Sequence, residues 1–295
     1  MRVLAPLLLL LVAAGCGSDE PPRADGPVRQ ELVEAADSGQ VSARADLDIP
    51  FGTVTTGEAE AGALLQAEVT LPAADLAPRL HRTTESRSDG DLAVLALSLE
   101  GQSASLRDFR DLGADFTWRL LFSHTTPLDL SLMLGVATAD LDLTGVPLRR
   151  LVIRAGAGET TLRFRAPNPE PSAEIDIEAG VRSFAAEGLG FARFDRLTFQ
   201  GGVGSFRLDL TGDGLLPGAE ADLKVGVGSL EVTLPHAHPI VLIVPEGRLA
   251  SVRVPAGFVV TGPGRYASPG ATDAPSALTV RVETGPGRVT FRMGG

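Results

Sequence analysis

Six glycine-centred turns recur along this chain, and the buried positions change parity across them. The turns are Gly135-Val136-Ala137, Gly156-Ala157-Gly158, Gly180-Val181-Arg182, Gly202-Val203-Gly204, Gly226-Val227-Gly228 and Gly285-Pro286-Gly287. The first five start 21, 24, 22 and 24 residues apart, and each sits between two segments of alternating apolar and polar residues. Leu151 and Ile153 precede one turn on odd positions, whereas Thr160, Leu162 and Phe164 follow it on even ones. The same switch takes Leu197 and Phe199 to Phe206, Leu208 and Leu210, and Leu223 and Val225 to Leu230, Val232 and Leu234. In the last copy Val280 and Val282 give way to Val289, Phe291 and Met293. A straight strand keeps its parity, because a slip of one residue turns every side chain to the other face. Each glycine turn therefore marks a corner or bulge that lets both arms face one core. A steady period near 22 in an all-strand chain predicts a β-solenoid-like stack of short strands with Gly-x-Gly corners.

A β-sandwich is the alternative, since it also has short strands and regular turns. Two-residue hairpin signals are scarce, with Asp89-Gly90 and Asp213-Gly214 the clear cases. The repeat-bearing region runs over 127–295, interrupted by an irregular turn near Gly247 and a Pro/Gly-rich insert over Gly262–Pro275. Upstream, 41–126 forms an N-terminal β region of the stack. Val41, Ala43, Ala45, Leu47, Ile49 and Phe51 alternate with polar residues, and so do Leu65, Ala67, Val69 and Leu71. A short helix is expected over Val28–Asp37, a polar surface loop over Thr83–Asp91, and a loop or short helix over Ser103–Gly113.

The N-terminus carries an address. Arg2 is followed by the apolar stretch Val3–Ala14, then by Gly15 and Cys16, the single cysteine. Twelve residues reach only about 18 Å as a helix, too short for a bilayer core of roughly 30 Å. The stretch reads as a signal peptide over 1–15. The small-small-Gly-Cys ending resembles the lipobox of bacterial lipoproteins, which makes Cys16 the lipidated first residue of the mature chain. Gly17 and Ser18 follow it rather than Asp, which by the same resemblance favours the outer membrane of a Gram-negative cell. Residues 16–40 read as a flexible tether, polar and bearing Pro21 and Pro22. With Cys16 lipidated, no disulfide is available, and stability must come from packing and hydrogen bonding.

A net charge of −11 argues against nucleic acid as a partner. It also argues against direct adhesion to anionic head groups. Lys224 is the only lysine, so nearly all positive charge is arginine, a bias read here as genome composition rather than a phosphate site.

Several of these segments together resemble a known domain. They are Trp118-Arg119-Leu120, Pro127 to Leu132, Gly135, Leu141-Asp142-Leu143-Thr144-Gly145, Gly156-Ala157-Gly158-Glu159 and Gly226 to Val232. The resemblance is to the toast-rack β-domain of bacterial cell-envelope proteins, among them cell-wall-active-antibiotic response proteins and adhesin-like proteins. It covers roughly Val41–Gly295. It implies a stack of β-coils and an envelope location, and it brings no catalytic residues. Gly135-Val136-Ala137 and Gly180-Val181-Arg182 lack the second glycine, which predicts wider corners there.

No other motif carries chemistry as clearly. His236 and His238 have a metal-ligand spacing, but Pro235 and Pro239 place them in an exposed loop and two ligands do not make a site. Glu174, Asp176 and Glu178, like Asp140 and Asp142, line strand faces and read as solvated rather than as a Ca²⁺ stack. No Gly-Lys-Ser/Thr follows the glycine turns, and no Gly-x-Ser-x-Gly occurs. His81 and His124 sit in no recognisable triad setting, and Trp118 reads as core. The expectation is a non-enzymatic envelope lipoprotein, without cofactor or metal, held to the membrane by lipid on Cys16. Its acidic β-stack would meet a protein or glycan partner. The alternatives are an adhesin-like module that self-associates through sheet edges and, least favoured, a carboxylate-based hydrolase.

Overall fold

The computed structural model describes residues 27–37, 39–71, 76–88, 90–101, 116–244, 250–271 and 274–294. The signal stretch, Cys16, the tether up to residue 26, the segment 103–113 and the turn near Gly247 lie outside them. Seventeen strands form one long mixed sheet that does not close into a barrel, and no α-helix occurs among the described residues. In chain order they are β1 Val28–Ala35, β2 Gln40–Glu58, β3 Ala63–Leu71, β4 Leu76–Arg87, β5 Gly90–Gly101 and β6 Thr117–Phe122. Then come β7 Leu128–Asp142, β8 Leu148–Arg163, β9 Ser172–Glu187, β10 Phe194–Asp209 and β11 Glu220–Leu234. The last are β12 Ile240–Ile243, β13 Ala250–Arg253, β14 Val259–Gly262, β15 Arg265–Ala267, β16 Leu278–Thr284 and β17 Gly287–Met293.

The stack is built from long bent strands lying parallel and in register. β2, β7, β8, β9, β10 and β11 follow one another, and β16 with β17 supplies the last bent pair. Each bends at its glycine turn into two arms whose inner faces meet. A flat parallel pair needs a crossover of a dozen or more residues. Here the second arm carries the chain back, so the loops 143–147, 188–193 and 210–219 suffice. A short 3₁₀ turn, Leu189–Ala192, lies in one of them. Asp213-Gly214 lies in another and joins parallel strands rather than a hairpin.

Register stacks like on like in the core. Ala45, Leu130, Leu151, Ile175, Leu197, Ala221 and Val280 form one inner column, and Leu132, Ile153, Ile177, Phe199, Leu223 and Val282 another. The second arm brings Ala139, Thr160, Phe184, Phe206, Leu230 and Val289 against them. All of these are buried. Phe199 of one arm packs edge-on to Phe206 of the other, with ring centroids 5.4 Å apart. Trp118 is core as expected, 1% exposed, and its indole N–H donates to the Phe51 carbonyl at 3.0 Å.

The corners work because backbone packs on backbone. Gly135, Gly156, Gly180, Gly202, Gly226 and Gly285 occupy equivalent positions on successive coils. A Cβ on Gly156 would lie 2.6 Å from the Gly135 carbonyl oxygen, and one on Gly226 would lie 2.7 Å from that of Gly202. Two residues on, Gly158 (φ 131°) and Gly228 (φ 134°) adopt a backbone open mainly to glycine. Arg182 occupies the same column with φ 107°, a strained place for a side chain.

The ends of the stack are finished differently. The first arm of β2 pairs with β5, and β5 with the antiparallel β4. Its second arm pairs with β6, then antiparallel β3 and β1. At the other end β12 and β13 lie outside β16 and β17, and β13 covers the last strand over Gly287–Thr290.

Two local expectations are corrected, and one segment gains a strand. Val28–Ala35 is strand β1 rather than helix, because pairing with β3 supplies its backbone partners. Thr83–Asp91 is not a loop, since β4 runs to Arg87 and β5 begins at Gly90. Its polar residues belong to an edge strand, where charge blocks further pairing. Part of the Gly262–Pro275 insert forms β15, which pairs with β12 and β14.

Asn168 clamps the loop ends. It is 2% exposed; its Oδ1 accepts from Leu148 N at 3.1 Å and its Nδ2 donates to Leu148 O at 2.8 Å and Ala192 O at 3.2 Å. Asn168→Ala strands these buried groups and should cost about 2–3 kcal/mol in urea unfolding. Gly156→Ala should cost about 3 kcal/mol by the same measurement. Gly262→Ala, whose Cβ meets only Arg265 Cβ at 3.9 Å, should be nearly neutral. Arg182→Gly should raise stability by about 1 kcal/mol by relieving its backbone, the exposed Arg182–Glu159 pair contributing little.

Candidate functional site

The corner glycines leave a groove on the outside of the stack. Gly135, Gly156, Gly180 and Gly202 form its floor over a volume of 580 Å³, and Gly226 and Gly285 continue it over a further 400 Å³. One wall carries Met133, Arg154, Glu178, Gln200 and Lys224. Along the other side runs an exposed ridge formed by Val136, Val181, Val203 and Val227. Ten glycines singled out from the sequence thus come together as two neighbouring columns: Gly135, Gly156, Gly180, Gly202, Gly226 and Gly285 in one, Gly158, Gly204, Gly228 and Gly287 in the next. Cys16 lies outside the described residues.

The outer face of the first arm is a ladder of alternating charge. Arg44, Asp129, Arg150, Glu174, Arg196 and Glu220 are register neighbours in that order. Arg150 pairs with Glu174 at 3.2 Å, and Arg196 with Glu220 at 3.9 Å. Arg154 holds Asp176 at 2.7 Å and Glu178 at 3.2 Å. Arg281 reaches Glu220 at 3.2 Å and Asp222 at 3.3 Å. On the second arm Arg163 meets Asp140, and Arg165 meets Asp142 at 2.6 Å. The carboxylates therefore alternate with guanidiniums along the stack. These pairs are half exposed, so each contributes little alone, while the columns fix the sign of the surface.

Local pKa directions follow from this. The Asp176 hydrogen bond raises Arg154; burial opposes it, and the Asp176 and Glu178 charges add to the rise. Glu220 does the same for Arg281, against burial and with help from Asp222. Burial alone raises the Asp142 carboxyl. The Thr144 hydroxyl and N–H, with the Arg165 and Arg163 charges, outweigh it and hold the group below the ordinary aspartate range. Its stabilising share is thus present above the unfolded pKa and lost as pH falls through the folded one.

Other candidates stay apart. His236 is exposed and His238 half-buried in the connection between β11 and β12. No group of three or more His, Cys, Asp or Glu residues able to hold a metal occurs among the described residues. His124 sits 3.7 Å from Glu58, and His81 is exposed on β4. The arginine partners of the carboxylates were not foreseen. Their signal was opposite charge one repeat apart, as in Arg150 and Glu174 or Arg196 and Glu220. No helix among the described residues is long and apolar enough to cross a membrane.

Comparison with curated proteins finds no match. Solved structures similar to this chain include a candidate cell adhesion protein from Clostridium sporogenes, 15% identical, with TM-score 0.45, covering 90% of this chain and 100% of that one. A candidate adhesin from Parabacteroides merdae is 10% identical, with TM-score 0.32, over 91% and 97% of the two chains. A candidate lipid binding protein from Parabacteroides distasonis is 8% identical, with TM-score 0.30, over 92% and 98%. The family described as the N-terminal domain of toast_rack, DUF2154, matches residues 24–186. That match takes in more than half of this chain of bent, in-register coils, and the protein belongs to the family of the N-terminal toast-rack domain.

Proposed function

We propose that this chain is a non-enzymatic bacterial envelope lipoprotein that displays its β-stack for binding a protein or glycan partner. Lipid on Cys16 holds it to a membrane, the outer one in a Gram-negative cell. The residues that follow Cys16 serve as tether to β1. The observation that carries the reading is the alternating charge ladder on the outer face. Acid–base hydrolysis needs two carboxylates facing one another across a cleft. Glu174, Asp176, Glu178, Glu220 and Asp222 instead lie along continuous strands, each held by an arginine of a neighbouring coil. Such a surface is suited to extended contact rather than to turnover.

One observation favours the second reading, self-association through a sheet edge. Among the described residues β14 pairs with β15 on one side only, and its Val259 and Val260 are 56% and 71% exposed. Light scattering behind size exclusion separates the two, with a monomer expected from the display reading and a concentration-dependent dimer from the other.

The anchor is tested by palmitate labelling in cells with and without globomycin. The wild-type chain should be labelled and membrane-bound. Cys16→Ser should lose the label and leave the membrane fraction, and a Cys16→Ser protein that stays membrane-bound would overturn the anchor. Crosslinking in intact cells identifies the partner.

A further inference from the structure

On the second arm, near the end capped by β13, four arginines line one open cleft of 250 Å³: Arg207 on β10, Arg253 on β13, and Arg288 and Arg292 on β17. Glu231 is the only acid in its lining, giving a local balance of +3 in a chain whose net charge is −11. Arg292 is occupied by Glu231 at 2.9 Å. Arg207, Arg253 and Arg288 contact no carboxylate among the described residues, whereas Arg149, Arg150, Arg154, Arg163, Arg165, Arg196 and Arg281 each do. Elsewhere register places an acid beside a base. In this cleft the register neighbours of Arg253, Arg288 and Arg292 are serine and threonine, and Glu231, the register neighbour of Arg207, forms its ion pair with Arg292.

We propose that this cleft binds a linear polyanion whose negative groups repeat along its length, as in a phosphate-bearing envelope polymer. The spacing of the arginines argues for a polymer over a single ion. Arg207, Glu231, Thr290 and Arg253 are consecutive register neighbours, so Arg207 and Arg253 lie three strand spacings apart, about 14 Å. One phosphate group cannot touch both, while a chain lying across the strands meets all three free guanidiniums. Guanidinium forks suit phosphate oxygens in paired hydrogen bonds. The cleft begins seven strand spacings from β1 and ends ten away, about 35–50 Å. With the tether joined to β1, that distance along the stack separates the cleft from the anchored end, which favours a polymer over a phospholipid head group in the anchoring leaflet. The inference rests on the display reading and names the chemistry of its partner.

The test uses the full chain carrying Cys16→Ser, so that no lipid confounds binding. Titration with short-chain polyphosphate should show saturable binding that weakens as salt rises. Arg207→Gln/Arg253→Gln/Arg288→Gln should weaken it by at least about tenfold. Arg149→Gln/Arg150→Gln/Arg196→Gln removes the same charge from paired positions and should bind as before. All six side chains are solvent-facing, and circular dichroism melts check that both variants fold. Orthophosphate at equal phosphorus concentration should bind more weakly than the polymer. Equal weakening in both triple variants, or no polyphosphate binding at low salt, overturns the site. Phosphatidylglycerol vesicles bound more tightly than polyphosphate overturn the polymer and assign a head group. If polyphosphate fails while Cys16-dependent labelling and in-cell crosslinking persist, the display reading stands and only the cleft falls.

Discussion

The fold rests on one close contact, a peptide carbonyl of one coil occupying the space that a side chain of the next coil would need. At the corner column the backbone oxygen of Gly135 lies where the Cβ of Gly156 would be, and the relation repeats up to Gly285. Only a residue without a Cβ lets successive corners nest at strand spacing. Once the corners nest, the arms on both sides fall into register, and inner columns of leucine, isoleucine and phenylalanine follow. The outer columns follow as well, so surface charge is arranged coil by coil and not by neighbours in sequence.

That rule explains why the bent strand replaces a crossover. A parallel sheet normally needs helices to return the chain. Here the return is the second arm, and burial of Phe184, Phe206 and Leu230 against Ile177, Phe199 and Leu223 stabilises the bend. Both arms are wet on one face and dry on the other, which is why strict alternation survives in a parallel sheet.

The parity switch at Gly156-Ala157-Gly158 and its copies was legible because each repeat carries its own apolar set and its own corner. β1 was not legible. Val28, Leu32 and Val33 suit a helix in isolation, and the strand exists only because β3, some forty residues on, offers hydrogen-bond partners. β4 was obscured for a different reason: the charges that protect an edge strand look, in sequence, like a loop. The arginine cleft was illegible in principle, since Arg207, Arg253 and Arg288 meet only after an insert of about forty residues folds back to place β13 outside β17. Cys16 is the opposite case: it lies outside the described residues, and its reading rests on sequence alone.

The central claim is that successive corners stack in register along one axis, and a distance measurement addresses it directly. Val136 and Val227 are exposed, ninety-one residues apart in sequence, and four coils apart in the ridge beside the glycine floor. Spin labels at Val136→Cys and Val227→Cys in a Cys16→Ser chain, read by pulsed electron resonance, should give one narrow distribution near a backbone separation of about 19 Å. A broad distribution, or a mean beyond about twice that spacing, would contradict the stacked-corner account.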